Sequence, residues 1–125
     1  MHQLKKIGCL NREGMTACNA GRTGDALASL EEAGRLASEM GSPLHVAKIR
    51  NNVGLVHQMA GNYDEAASCF RQAERLAVEQ AGDGNPLHRV VVRNLSRLEL
   101  SRCDSGACHS AKLEQPGCAG SSCRV

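Results

Sequence analysis

An eleven-residue stretch near the N-terminus returns forty residues later, and this limits the folds open to the chain more than any other feature. Asn11-Arg-Glu-Gly14-Met-Thr-Ala-Cys-Asn-Ala20-Gly21 lies over Asn51-Asn-Val-Gly54-Leu-Val-His-Gln-Met-Ala60-Gly61. The same offset carries on through Asp25 and Glu65, Ala26 and Ala66, Leu30 and Phe70, Ala33 and Ala73, and on to Glu39 and Glu79. Further along, Pro43-Leu-His45 returns as Pro86-Leu-His88 and Arg50-Asn51 as Arg93-Asn94, now at an offset of 43. Ala-rich amphipathic helices resemble one another by chance, but here the register of Asn, Gly and Ala holds over dozens of positions. A period near 40 built from paired helices marks a solenoid, in which each unit buries its apolar face on its neighbours.

Local signals agree. Helix formers dominate up to about Arg102, and the longest β-branched run, Val90-Val91-Val92, is too short to argue for a strand. In the central unit Ile49, Val53 and Val56 fall on one side of a helix, and Ala66, Phe70, Ala73 and Ala77 form a stripe on the next. Gly61-Asn62 turns the chain between them. Gly54, Ala66 and Ala73 are small enough for two antiparallel helices to pack closely. Gly41-Ser42-Pro43 and Gly82-Asp-Gly-Asn-Pro86 read as stop-then-start signals, with Ser42 or Asn85 as the cap ahead of Pro. The expected helices are about 3–19, 24–40, 43–60, 63–81 and 86–102.

These residues resemble the tetratricopeptide repeat, particularly the long-period form of kinesin light chains and related adaptors. The family pattern, roughly Leu-Asn-Asn-Leu-Ala in the first helix and Gly-x-Tyr-x-x-Ala at the turn, corresponds to Arg50-Asn51-Asn52-Val53-Gly54 and Gly61-Asn62-Tyr63-Asp64-Glu65-Ala66. Phe70 and Ala73 match second-helix positions. The resemblance covers residues 1–102 and is strongest in 44–81. It implies an all-α fold: a short right-handed α-solenoid of two helix-turn-helix repeats, about 1–41 and 42–83, plus a C-terminal capping helix of about 86–102. Glu13 stands where an apolar residue is expected, and Gly24 and Gly34 are expected to loosen the second helix.

At the position of Gly14 and Gly54, the 43-residue offset places Arg97 in the fifth helix. A small residue is needed there only if a further helix packs on it, so the fifth helix reads as a cap with a polar outer side. Val91, Leu95 and Leu98 form its expected buried face. Arg89, Arg93 and Arg97, four apart, form either a solvated face or a stripe that contacts an acidic partner through phosphate or carboxylate.

In the fold that the resemblance implies, the first helices of the repeats line the concave side. Asn11, Asn51 and Asn94 would stack there as a ladder. Met15, Leu55 and Leu98 would form an apolar row one turn on, and Lys48 lies one turn back. An Asn amide both donates and accepts, so such a ladder satisfies the backbone of an extended peptide whatever its sequence. The competing reading is that the asparagines only tie neighbouring helices together. The expected function is an adaptor that binds a protein or peptide partner in this groove.

After Arg102 the composition changes. Cys103-Asp-Ser-Gly-Ala-Cys108-His109 and Cys118-Ala-Gly-Ser-Ser-Cys123 lie in a Gly/Ser/Ala-rich stretch, 103–125, that cannot build an apolar core. Cys103, Cys108, His109, Cys118 and Cys123 could hold Zn or an Fe–S cluster, form disulfides or a redox relay, or do nothing in a disordered tail. Structural zinc sites more often space cysteines by two. C-x4-C-H also resembles an unusual haem c attachment site. The metal- or redox-linked accessory protein is thus the alternative to the adaptor. Cys9, Cys18 and Cys69 fall on helices and read as small buried residues.

Other classes find no support. A formal charge of +2 is too small for bulk attraction to nucleic acid or membrane, and Tyr63 and Phe70 are the only aromatics, which leaves no stacking platform for bases. No P-loop, GxGxxG, HExxH or GxSxG occurs, and His45 and His88 recur beside Pro as structural residues, so no enzyme is expected. Neither a leader nor a membrane span is apparent, and the expected location is the cytoplasm.

Overall fold

The computed structural model describes residues 2–104 except Asp83, the last three by backbone alone. Five helices follow one another: α1 (His2–Asn19), α2 (Thr23–Glu39), α3 (Pro43–Met59), α4 (Tyr63–Ala81) and α5 (Pro86–Asp104). The described residues contain no strand. The described part of the chain is all-helical, with consecutive helices packed as in a helical-repeat solenoid.

The first three reversals are one motif repeated at a 20-residue stride. Gly21, Gly41 and Gly61 have φ of 82, 71 and 84°, a conformation that costs glycine nothing and other residues a steric clash. The amides just after them, on Arg22, Ser42 and Asn62, donate to the carbonyls of Ala17, Ala37 and His57 at 2.8, 3.1 and 2.8 Å. The glycine amides donate to Cys18, Ser38 and Gln58. This pair of bonds satisfies the last carbonyls of a helix. The carbonyls of Arg22, Ser42 and Asn62 then accept the first bonds of the next helix, from Ala26, Val46 and Ala66. One residue closes one helix and opens the next.

The link from α4 to α5 departs from this stride, and Asn85 holds it. Its carbonyl oxygen accepts from the His88 amide at 3.0 Å, and its amide donates to the carbonyls of Ala77 (3.1 Å) and Gly82 (2.6 Å). Asn85 therefore caps α5 as expected while gripping the end of α4. Ser42 does not cap α3 through its side chain: its hydroxyl meets His45 Nδ1 at 2.6 Å instead.

Two apolar clusters hold the helices together. In the first, Leu30, Ala33, Leu36 and Ala37 of α2 lie between Ile7 and Ala17 of α1 and Ile49, Val53 and Val56 of α3. In the second, Ala66, Phe70 and Ala73 of α4 meet Val91 and Leu98 of α5, with Leu55 and Leu95 at the margin. Gly14 and Gly54 are the points of closest approach. A β-carbon at Gly54 would sit 2.6 Å from Cε1 of Phe70, and one at Gly14 would sit 2.7 Å from Cγ of Leu30. Gly24 and Gly34 do not interrupt α2, which is continuous.

The bend of the array follows from which helices touch. The α1–α3 and α3–α5 pairs come within 8 Å between Cα atoms, whereas α2 and α4 do not. Helices α1, α3 and α5 therefore line the inner side.

Alanine at two glycines should act with opposite signs. Gly34→Ala meets only Ile49 Cγ2, at 3.6 Å, and should stabilise by about 0.5–1 kcal/mol through helix propensity. Gly54→Ala must displace the fully buried Phe70 ring and should destabilise by about 1–3 kcal/mol. Urea unfolding followed by circular dichroism measures both.

Candidate functional site

The inner face is organised by two asparagine pairs. The Asn52 amide donates to the side-chain carbonyl of Asn11 at 2.6 Å, joining α1 to α3. The Asn94 amide donates to that of Asn51 at 2.8 Å, joining α3 to α5. The single ladder of Asn11, Asn51 and Asn94 is thus replaced by two rungs that also use Asn52. Asn51 and Asn94 are only 5% and 7% exposed, so their bonded groups face each other inside the array, as the tying role requires.

These pairs also correct the register of α5. Asn94 stands to Asn51 as Asn52 stands to Asn11, which makes Asn94 the counterpart of Asn52, 42 residues on. The apolar residues agree: Ile49, Val53 and Val56 pack on α2, and Val91, Leu95 and Leu98, each 42 residues on, pack on α4. Although the Pro-Leu-His motif repeats at 43, packing advances by 42, because the longer link starts α5 one residue late relative to its contacts. Two expectations fall with this. Leu98 is fully buried in the second cluster and does not line the groove. The counterpart of Gly54 is Ser96, and Arg97 takes the place of Leu55.

Steps of three and four from the asparagines define the inner stripes: Leu4, Gly8, Asn11 and Met15 on α1; Leu44, Lys48, Asn52, Leu55 and Met59 on α3; Val90, Asn94, Arg97 and Ser101 on α5. Among the expected groove residues, Asn11, Met15 and Leu55 are half-buried and Lys48 is exposed. The asparagines form a polar belt, and apolar side chains lie to either side. Toward the helix starts, a hollow of about 450 Å³ is walled by Leu44, Lys48, Ala81 and Leu87. Toward the helix ends, one of about 280 Å³ is walled by Leu55, Gln58, Met59, Tyr63, Asn94 and Arg97. A further hollow, about 650 Å³ between α1 and α2, is lined by Arg12, Glu13, Arg22 and Asp25, and these charges offset one another.

A tetratricopeptide repeat family model matches residues 7–78, more than half of the chain. The chain belongs to the tetratricopeptide repeat family. Searches of curated proteins and of solved structures return no match. Tetratricopeptide repeats are in general protein–protein interaction modules with non-catalytic helical scaffolds.

Arg89, Arg93 and Arg97 are exposed. Of the helix cysteines, Cys18 and Cys69 are buried as expected, whereas Cys9 is exposed. Burial raises the thiol pKa of Cys18, and that of Cys69 against the opposing charge of Arg50. Cys18 also contacts the Met59 sulfur at 3.4 Å. His57 sits half-buried with Nδ1 lacking a partner. The side chains of Cys103, Cys108, His109, Cys118 and Cys123, the expected ligands of Zn or Fe–S, lie outside the described residues. Among the described residues no three His, Cys, Asp or Glu side chains cluster as a metal site, and no helix is long and apolar enough to cross a membrane.

The shifted register was legible. Reading the apolar triplet Ile49-Val53-Val56 against Val91-Leu95-Leu98, rather than the Pro-Leu-His motif, gives 42 directly.

Asn51→Ala strands the buried Asn94 amide and should cost about 1–3 kcal/mol, with the double variant Asn51→Ala/Asn94→Ala costing less than the sum of the singles. Denaturant titration of the four proteins gives the coupling. Separately, timed alkylation mapped by mass spectrometry should label Cys9 before Cys18 and Cys69 at neutral pH, because Cys9 is exposed whereas burial shields the other two and raises their thiol pKa.

Proposed function

We propose that the inner face of α1, α3 and α5 binds a peptide segment or a partner helix from another protein, with the chain acting as a small adaptor. One observation carries this reading. Among the described residues, four of the six large apolar side chains that stay exposed, Leu4, Leu44, Met59 and Val90, fall on that one face. Apolar side chains gathered on one surface and divided by a polar belt are what a recognition site requires, since scattered ones need no explanation.

Each residue has a distinct part. Leu44 and Val90 on one side of the belt, and Met15, Leu55 and Met59 on the other, take apolar side chains of the partner. Asn11 and Asn52 spend one acceptor and one donor on each other, which leaves the Asn11 amide and the Asn52 carbonyl for a peptide backbone. Lys48 and Arg97 supply cations at the two ends. Asn51, Asn94 and Leu98 act beneath this surface by holding α3, α4 and α5 in place. The two hairpins, about 1–41 and 42–83, form the repeat array, and α5 completes the core of the second. Nucleic acid is a poor occupant: Phe70 is fully buried, so Tyr63 alone could stack on a base.

Selection of a displayed peptide library on the full chain tests the site. Met59→Asp and Leu44→Asp, both at exposed side chains outside the two core clusters, should each weaken selected peptides by about 10–100-fold, the value of one buried apolar side chain, with unchanged circular dichroism. Peptides indifferent to both substitutions would place binding elsewhere.

A further inference from the structure

The corrected register shows what the outward side of α5 is built to meet. On α3, Gly54 lies directly under the Phe70 ring of α4, and helical spacing continues that stripe through Ala47, Asn51 and Gln58. Forty-two residues on, the same face of α5 carries Arg89, Arg93, Ser96 and Leu100, and all four are exposed. Ser96 keeps a small side chain at the point where α4 sets Phe70 on α3. Leu100 is 56% exposed and Val92, beside this face, 37%. Among the described residues these are the two large exposed apolar side chains that lie off the inner groove.

The charges say what kind of helix would lie there. Arg89 and Arg93 are one turn apart on this face and Arg97 continues the row at its edge, a spacing at which like charges destabilise a helix. None of the three pairs with a carboxylate among the described residues; Arg89 donates to the backbone carbonyl of Gly84. Glu99, the acidic residue of α5 with a described side chain, points to Arg71 of α4 at 4.0 Å instead. A solvated cap would mix signs along its outer side. This face has one sign, set beside apolar side chains and a small residue.

We infer that this face of α5 docks an acidic amphipathic helix of another protein, laid on α5 as α4 is laid on α3. An apolar side chain of that helix sits over Ser96, its neighbours cover Leu100 and Val92, and carboxylates one turn apart meet Arg89 and Arg93. A second copy of this chain does not fit, because two such faces would oppose arginine to arginine. This surface meets the inner groove only at Arg97, on its edge, and the contacts at Arg89, Arg93, Ser96 and Leu100 do not depend on the reading of that groove.

Two synthetic helices of about twenty residues test the inference on the full chain: one with a leucine stripe flanked by glutamates at i and i+4, the other with glutamine in their place. By fluorescence anisotropy the glutamate helix should bind at least about tenfold more tightly, and Arg93→Glu should weaken it by a similar factor. Ser96→Trp, which puts a bulky neutral side chain where the helix is to lie, should do the same, while Leu44→Asp in the groove, outside both core clusters, should leave it unchanged. Absence of binding, equal binding of the two helices, or loss with Leu44→Asp but not Arg93→Glu would overturn the inference. Tighter, Arg93-dependent binding of phosphatidylserine vesicles or single-stranded DNA than of the glutamate helix would overturn it as well, by making this a polyanion surface.

Discussion

The Phe70 ring resting on the backbone of α3 at Gly54 is the contact on which the rest depends. With a β-carbon excluded there, α3 and α4 come close enough for a chain with two aromatic residues to close its second apolar cluster, made mostly of Ala, Val and Leu. Leu30 over Gly14 does the same for α1 and α2 with a smaller side chain. Small residues under larger ones set the distance between helices, and that distance sets how the inner stripes line up. The groove is a product of packing before it is a product of polar chemistry.

Much of this was visible in the sequence because its causes are local or periodic. The glycines at 21, 41 and 61 announce their turns, since only a left-handed residue lets the following amide reach back to the last carbonyls. The stripe of Ala66, Phe70, Ala73 and Ala77 is likewise a matter of spacing, and all four are fully buried. What failed was register across the fourth link. The Pro-Leu-His motif is tied to a helix start, whereas the faces are set by packing. A one-residue slip turns a helix by about 100°, enough to exchange Leu98 with Arg97. It also hid the role of Asn52, which has no counterpart asparagine in α1.

The asparagines show how one residue type serves two ends at different depths. Asn51 and Asn94 are sealed in, and their bond satisfies polar groups that burial would otherwise leave stranded. Asn11 and Asn52 make the same kind of bond at half depth and keep part of their capacity open to the groove. Sequence alone cannot separate these cases, because depth depends on how closely neighbouring helices approach.

Ties of this kind exist along one edge only. The inner helices are pinned to each other rung by rung, whereas α2 and α4 meet only through the helix between them. Such an array flexes as a strip bound along one margin: bending spreads or closes the outer side, while the spacing of the inner stripes stays nearly fixed. A segment held across α1, α3 and α5 would therefore keep its grip while the outer helices move.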